Sequence, residues 1–191
     1  SGKLRRASKE PFRYACPQPA VQDSTTRGDW PGQYGSKGYV FCHYEPDGSH
    51  RIRLLEFTDS IRFAKTGGLH IATRTDDRRA PVSEDGSRTR NAGTVVTLDP
   101  APCNQTMTVD IRNKHDGPYR LALYFVDWEK TGRRSAVEVF DLDDKRLLMP
   151  VQIVRDYREG RYVVLSLEGS VRLRINQVRG TNASLCALFF D

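Results

Sequence analysis

The most informative stretch of the sequence is Tyr119-Arg-Leu-Ala-Leu-Tyr-Phe-Val126. Neighbouring residues of a β-strand point to opposite faces of the sheet, and residues two apart share a face. From residue 121 onward, the odd-numbered and the even-numbered positions of this stretch are both apolar. Because both faces are apolar, we expect this strand to lie in the middle of a sheet that is covered on both sides.

Two other stretches, 106–111 and 171–176, alternate between apolar and polar residues. This alternation is typical of antiparallel strands with one face on a core and one face in water. About eleven short apolar runs are separated by turn formers such as Pro46-Asp47-Gly48 and Glu168-Gly169, and we find no segment that keeps a helical period. The sequence therefore predicts an all-β fold, an antiparallel β-sandwich.

Length and composition indicate one globular domain. The chain has 191 residues, of which 38 % are hydrophobic and 28 % are charged. No apolar run approaches the roughly 18 residues that would indicate a transmembrane helix. Residues 1–20 are basic and contain three prolines, so we expect a tail or linker there and a single domain at residues 21–191. We also expect the chain to be part of a longer protein.

The formal net charge is +6, and most of the excess lies in the first thirteen residues. A positive balance permits attraction to polyanions. Arginines 155, 158, 161, 172 and 174 add positive charge on strands, but no aromatic residues are interleaved with them to stack on single-stranded nucleic acid. We therefore expect no nucleic-acid partner, and no membrane partner either.

The four cysteines are Cys16, Cys42, Cys103 and Cys186. They are far apart and form no C-x-x-C pair, so a zinc ribbon is not expected. Two disulfides would suit a secreted protein. Buried free thiols are an equal alternative, because Cys42 and Cys186 lie in apolar runs where a thiol packs as a small apolar group.

The sequence contains no motif of a catalytic centre that we can identify. It has no G-x-S-x-G, P-loop, dinucleotide-binding or H-E-x-x-H pattern, so we expect the domain not to be an enzyme. The histidines are isolated from one another. Only His70 is a candidate ligand contact, because it precedes the charged stretch Arg74–Gly93, which we expect to be a long surface loop.

The first segment with candidate binding residues is Asp23-Ser-Thr-Thr-Arg-Gly-Asp-Trp-Pro-Gly-Gln-Tyr-Gly35. A sugar ring packs its apolar face on an exposed aromatic side chain. Trp30 and Tyr34 could provide such a surface. The alternative is that Trp30 packs beneath the sandwich and fixes the glycine-rich turn around it.

The second segment is Asp127-Trp-Glu-Lys-Thr-Gly-Arg-Arg134, which follows the central strand and is expected in a loop at the strand end. A carboxylate and an arginine can hold adjacent hydroxyl groups with charge-assisted hydrogen bonds. Asp127, Trp128, Arg133 and Arg134 are therefore candidate ligand contacts. The alternative is a salt bridge between Asp127 and an arginine that fixes the loop.

A third segment closes the chain: Asn182-Ala-Ser-Leu-Cys-Ala-Leu-Phe-Phe-Asp191. Taken in order, the three segments resemble a bacterial galactose-binding-like module of the carbohydrate-binding type. Such modules are accessory domains of large secreted carbohydrate-active proteins. The sequence departs from the family pattern at Glu129, where aspartate is usual, and at Cys186-Ala187, where Ser-Gly is usual. The resemblance implies a jelly-roll sandwich that binds sugars through loops at one end.

The resemblance also implies a function: binding a glycan or polysaccharide, acidic ones included, and anchoring a neighbouring catalytic domain to it in a secreted or cell-surface protein. It allows a structural calcium ion, with candidate oxygen ligands in Asp76-Asp77, Glu84-Asp85 and Asp141 with Asp143-Asp144. The alternative is a structural or protein-interaction domain with no sugar ligand. An exposed Trp30 or Trp128 beside Asp127 and an arginine would favour sugar binding, and two buried indoles with no groove at the end loops would favour the alternative.

Overall fold

The computed structural model describes residues 20–54, 58–98, 105–114 and 117–191. These residues form fourteen strands and no helix, so the predicted all-β class is confirmed. No helix that could cross a membrane occurs in these ranges. The strands are β1 (Val21–Asp23), β2 (Gly38–Phe41), β3 (Arg51–Leu54), β4 (Thr58–Ala64), β5 (Thr66–Ala72), β6 (Ala92–Thr97), β7 (Thr106–Asn113), β8 (Pro118–Phe125), β9 (Arg134–Asp141), β10 (Gln152–Val154), β11 (Arg161–Glu168), β12 (Val171–Arg179), β13 (Ser184–Leu185) and β14 (Ala187–Phe190).

The strands form three antiparallel sheets. A six-stranded sheet has the order β1-β11-β8-β14-β2-β3, and a five-stranded sheet has the order β10-β9-β12-β7-β4. A smaller sheet has the order β13-β6-β5. The many crossovers between strands that are distant in the chain are typical of a β-sandwich, in which two sheets share one core.

The main core lies between the six-stranded and the five-stranded sheet. Strand β8 lies between β11 and β14, as its two apolar faces predict. Its residues Leu121, Leu123 and Phe125 are fully buried in this core, against inward residues of the other sheet such as Val109 and Leu173. The alternation in 106–111 and 171–176 is confirmed as well, because the apolar set of each stretch is buried in the core and the polar set is not.

A second apolar cluster covers the other face of the six-stranded sheet, and we call it the aromatic layer. It includes Tyr39, Phe41, Tyr124, Tyr162 and Phe189, all buried. The segments 24–37 and 73–91 cover this layer and are hydrogen-bonded to each other. The amide of Gly28 donates to the carbonyl of Arg78, and the amide of Val82 donates to the carbonyl of Gly28, both at 3.0 Å. The even-numbered face of β8 is therefore buried under loops rather than under a second sheet.

The outward side of the five-stranded sheet carries mostly polar side chains, because most apolar residues of its strands point into the core; Phe140 is an apolar residue on the outward side. We call this surface the outer polar face. The side chains that form it are Ser60, Arg62, Thr106, Thr108, Asp110, Arg112, Arg134, Glu138, Phe140, Arg172, Arg174 and Asn176.

Three sequence predictions need correction. Strands β1 and β4 were not predicted, because β1 has only three residues and β4 contains the polar run Thr58-Asp-Ser before its first apolar residue. One of the short apolar runs predicted as strands, Ser184–Phe190, is not a single strand: it is interrupted at Cys186, since β13 pairs with β6 and β14 pairs with β8 and β2. The stretch 74–93 is not only a surface loop: its residues Ala80 and Val82 are buried, and β6 begins at Ala92.

Other predictions concern residues outside the described ranges. Residues 1–19 of the predicted tail, Cys16 and Cys103 all lie there. The two cysteines within the described ranges are Cys42 and Cys186. Both are buried free thiols rather than halves of a disulfide. Burial raises the pKa of the Cys186 thiol to about 11, which keeps it protonated at neutral pH.

Candidate functional site

The loop between β8 and β9 is fixed by a buried ion pair. Arg133 Nη1 donates to Asp127 Oδ1 at 2.7 Å, and the two side chains are 4 % and 1 % exposed. Asp127 also accepts hydrogen bonds from the backbone amides of Thr131, Gly132 and Arg133. Burial raises the pKa of Asp127, but these hydrogen bonds outweigh it, and the pKa lies below its ordinary value. The predicted salt bridge that fixes the loop is therefore present.

Every nitrogen of the Arg133 guanidinium has a partner. Nε donates to Asn182 Oδ1 at 2.9 Å, Nη2 donates to Thr181 Oγ1 at 3.1 Å, and Nη1 also contacts the carboxylate of Glu129. A ligand would have to displace these protein groups to bind Arg133. In this arrangement Asp127 and Arg133 hold the loop in shape, and their predicted contact with a ligand stays a prediction.

Trp128 is half-buried at the tip of the same loop. The guanidinium carbon of Arg79 lies 5.0 Å from the centroid of its ring, so one face of the indole is covered by a cation–π contact. Arg79 is held in place by Asp77, to which its Nη2 donates at 2.7 Å, and by the carbonyl of Arg158 at 2.9 Å. Trp128 thus lies beside Asp127 and arginines, as expected for a sugar site, but it presents only part of its surface.

Trp30 has the structural role that was the alternative in the sequence. Its side chain is 3 % exposed, packs against Tyr39 and Phe189, and donates from Nε1 to the carbonyl of Val82 at 2.7 Å. It leaves no free ring face for a sugar. The expectation of an exposed platform at Trp30 is therefore wrong, because the ring fills the space between the aromatic layer and the segment around Val82.

Tyr34 and His70 are also engaged with their neighbours. Tyr34 stacks on Tyr162 with ring centroids 4.3 Å apart, and its hydroxyl donates to Asp23 Oδ2 at 2.9 Å. His70 Nδ1 is 3.0 Å from the carbonyl of His43, and its Nε2 is 2.8 Å from Thr73 Oγ1. Both side chains are half-buried. Tyr34 and Trp128 both pack against the aromatic layer, but no hydrogen bond or ring contact among the described residues joins Tyr34 or His70 to the loop of Asp127.

Arg134 points the other way from Arg133, because neighbouring residues of a strand face opposite sides. It begins β9 and lies on the outer polar face, paired in register with Arg179. This face is ordered by contacts across the strands. Arg172 donates to both oxygens of Asp110 at 2.6 and 2.7 Å, and Asn176 Nδ2 donates to Glu138 Oε2 at 2.8 Å.

The same face contains an aromatic ring beside charged groups. Phe140 is half-buried, and the guanidinium carbon of Arg174 lies 5.6 Å from its ring centroid. Arg174 Nη1 is 3.7 Å from the carboxylate of Glu138. Further along the sheet, Thr106 Oγ1 donates to Asn176 Oδ1 at 2.6 Å. The outer polar face is therefore a surface of connected donors and acceptors.

An open groove of about 370 Å³ lies at one end of this face, where β9 ends and β12 begins, and we call it the basic groove. It is at the end of the sheet opposite to the loop of Asp127, which precedes β9. Its polar walls are formed by Ser60, Arg62, Asp110, Arg112, Asp143, Lys145 and Arg172.

The sequence did not predict this groove as a site. Its residues come from β4, β7, the turn after β9 and the start of β12, which are far apart in the chain. The available signal was the alternation of Arg172 and Arg174 with apolar residues, which placed both arginines on one exposed face. The neighbouring arginines of β4 and β7 could be added only once the strand order was known.

The described side chains do not form an acidic cluster for the structural calcium ion that the resemblance allows. No group of three or more His, Cys, Asp or Glu side chains in the described ranges is placed to hold a metal ion. The candidate carboxylates have other partners. Asp77 binds Arg79, Glu84 binds Arg53, and Asp85 accepts from Ser83 and Ser87.

No protein-family model matches this chain, and no curated protein matches it. Among solved structures it is similar to a family 35 carbohydrate-binding module from Clostridium thermocellum, with 10 % identity, 69 % of this chain and 98 % of that chain covered, and a TM-score of 0.36. It is similar to two family 32 modules of Clostridium perfringens ZmpB in complex with GalNAc, with 11 % identity, 91 % and 39 % covered, and a TM-score of 0.46.

A third similar structure is the exo-β-1,3-galactanase of Phanerochaete chrysosporium, with 15 % identity and a TM-score of 0.38. That match covers 75 % of this chain but only 31 % of the galactanase. At these identities the similarities concern the overall fold alone.

Proposed function

We propose that the chain is a non-catalytic carbohydrate-binding module and that the outer polar face holds the sugar. The observation that carries the proposal is the open groove on this face, whose walls are hydrogen-bonding side chains from four parts of the chain. Pockets that bind small polar ligands combine a concave shape with a few fixed polar groups. The covered aromatic layer does not offer such a surface.

The chemistry of the outer polar face suits hydroxyl groups. A sugar hydroxyl both donates and accepts a hydrogen bond, so it binds well between a carboxylate and an arginine or amide nitrogen. Glu138 lies between Asn176 and Arg174 in this way, and both neighbours hold its carboxylate in place. Phe140 adds a partly exposed ring against which C–H groups can pack.

We base the proposal on this surface and on the resemblance in sequence, because the solved structures, with TM-scores below 0.5, are similar in fold only. Several of those structures are carbohydrate-binding modules by name. The further parts of the proposal are that the module anchors a neighbouring catalytic domain to a polysaccharide and that the parent protein is secreted or at the cell surface. Linking a binding module to an enzyme raises the local concentration of substrate.

A glycan and polysaccharide screen with isothermal titration calorimetry tests the proposal. Arg174→Ala should weaken binding of any positive ligand about tenfold, the effect of one lost charge-assisted hydrogen bond. Arg88→Ala is the matched control, since Arg88 is exposed in the segment that covers the opposite side of the sandwich. Trp128→Phe, with folding checked by circular dichroism, tests the end loop. Loss of binding in Trp128→Phe alone would move the site to that loop.

A second candidate function, protein interaction, is favoured by one observation. Strand β5 is an edge strand among the described strands, and it exposes Leu69 and Ile71 at 50 % and 41 %. Leu98, the residue after β6, is also exposed. Apolar edge strands pair readily with other chains. A screen that finds no glycan for a folded wild-type chain would make this the leading function.

A further inference from the structure

We infer that the basic groove binds the anionic group of an acidic saccharide, a sulfate or a carboxylate. This inference rests on the proposed function and names its ligand class. The groove contains four cationic side chains, Arg62, Arg112, Lys145 and Arg172, and two carboxylates, Asp110 and Asp143. The cationic side chains therefore outnumber the carboxylates by two, and all of them line one open concave surface.

The Arg172–Asp110 pair lines the groove. Both oxygens of Asp110 accept from Arg172, and the pair lies on adjacent strands in register. The hydrogen bond from Arg172 lowers the pKa of Asp110, and the charges of Lys145 and Arg62 add to this effect. The carboxylate of Asp110 is therefore ionised and matched by Arg172, while Arg62 and Lys145 stay close to it as additional positive charges.

The remaining cations keep donors free for a ligand. Arg62 is exposed, and its guanidinium makes no hydrogen bond or ion pair with any of the described residues. Arg112 contacts Asp143 at 3.3 Å, and that carboxylate is 75 % exposed, so the pair is weak and solvated. Lys145 Nζ donates to the carbonyl oxygen of Leu142, and its charge acts on Asp110 and Asp141 without a hydrogen bond to either among the described residues. A guanidinium with free N–H groups binds sulfate or carboxylate with two parallel hydrogen bonds.

The lining of the groove favours a saccharide over nucleic acid. Single-stranded nucleic acid is held by several aromatic side chains on which successive bases stack, whereas the described residues of the outer polar face offer one half-buried ring, Phe140, and none of those that line the groove is aromatic. Ser60, which is paired in register with Arg112, and the carboxylate of Asp143, which contacts Arg112, instead add acceptors beside this arginine, which suits the hydroxyls next to an anionic group. The connected polar side chains of the outer polar face continue from the groove along the sheet, from Arg172 to Glu138 and Asn176.

Two matched pairs of polymers test the inference by titration calorimetry: dextran sulfate with dextran, and polygalacturonate with its methyl ester. We expect the charged member of at least one pair to bind and the neutral member not to bind, with affinity that falls as NaCl rises. The pair that binds identifies sulfate or carboxylate as the anionic group. Arg62→Gln and Arg112→Gln should each weaken binding about tenfold, and Arg88→Gln, with the same change in charge, should leave it unchanged.

Three results would overturn the inference. Poly-L-glutamate or single-stranded DNA bound as tightly as the acidic polysaccharide would reduce the groove to a general polyanion surface. A neutral glycan bound with full affinity by Arg62→Gln and Arg112→Gln would leave the proposed function intact and remove the anionic ligand. No saccharide bound by the folded wild-type chain, charged or neutral, would remove the proposed function together with the inference.

Discussion

Two aspartate–arginine pairs of the chain have the same chemistry and very different surroundings. Asp127 and Arg133 are 1 % and 4 % exposed, whereas Asp110 and Arg172 are 23 % and 34 % exposed. A buried charge that loses its partner cannot be solvated, so breaking a buried pair costs far more than breaking one at the surface. The same substitution should therefore have different effects at the two sites.

We predict that Asp127→Ala lowers the free energy of unfolding by about 3–5 kcal/mol, because it removes the buried partner of the Arg133 guanidinium and the acceptor of three backbone amides, and leaves Arg133 only the exposed carboxylate of Glu129. Asp110→Ala should cost at most about 1 kcal/mol, since Arg172 can turn toward water. Urea unfolding followed by circular dichroism measures both values. Equal costs for the two variants would contradict the role that we assign to Asp127 in holding the loop.

At the scale of residues, the sequence predicted the loop after β8 but not which of its residues fix the loop. Arg133 and Arg134 are adjacent, so one of them had to face inward, and the sequence did not show which. The structure places Arg133 inside because β9 begins at Arg134 with its inward positions at odd numbers, such as Val137 and Val139. Because the two residues face opposite sides, Arg133 fixes the loop and Arg134 lies on the outer polar face.

At the scale of elements, the segments 24–37 and 73–91 act as one cover over the aromatic layer. They meet at Gly28, whose amide and carbonyl bind the backbone of Arg78 and Val82. The approach is so close that a Cβ at Gly28 would overlap the carbonyl oxygen of Ala80. Glycine is needed here for the space that it leaves rather than for its backbone freedom.

We predict that Gly28→Ala lowers the free energy of unfolding by about 1–3 kcal/mol, the usual cost of overpacking a closely packed contact. Gly117→Ala is the matched control, because no atom lies within 4 Å of its would-be Cβ, and its effect should stay within about 0.5 kcal/mol. Thermal unfolding of both variants gives the comparison. If the two variants have similar free energies of unfolding, the close contact between the two segments at Gly28 does not contribute to stability.

The elements that the sequence predicted well are those whose pattern is set by the main core. β7, β8 and β12 alternate, or are apolar throughout, because their inward residues meet across the sandwich. β4 escaped prediction because it is an edge strand with exposed polar residues and a bulge between Thr58 and Ser60. The basic groove escaped prediction for the same reason, since Ser60 and Arg62 belong to that strand.

At the scale of the whole molecule, the two sides of the sandwich are built differently. One side is an aromatic layer closed by two segments, and the other is an open polar surface on the five-stranded sheet. Ionised carboxylates stabilise both sides. The pKa values of Asp23 and Asp29, near the closed side, and of Asp110 and Asp141, on the open side, all lie below their ordinary values.

These shifts set the direction of the response to acid. A carboxyl group with a lower pKa in the folded state than in the unfolded state binds fewer protons when folded. Its stabilisation is fully present above the unfolded pKa, about 3.9 for aspartate, and is lost as the pH falls through the folded value. We therefore predict that the midpoint of thermal unfolding is constant near pH 6 and falls steadily between about pH 5 and pH 2.

Asp23 offers the sharpest test of this response. Burial raises its pKa, but hydrogen bonds from Thr26, Thr25 and Tyr34 outweigh burial and lower it far below its ordinary value. Asp23→Asn should therefore destabilise the chain by about 1–2 kcal/mol at pH 7 and by clearly less at pH 2, because the carboxyl group is then protonated in the unfolded wild-type chain and its ionisation on folding no longer adds its full stabilisation. Asp143→Asn, at a 75 % exposed side chain, is the control and should follow the wild type throughout. A destabilisation by Asp23→Asn that is the same at both pH values would mean that its hydrogen bonds do not depend on ionisation, and the acid response would then have to arise elsewhere in the sandwich.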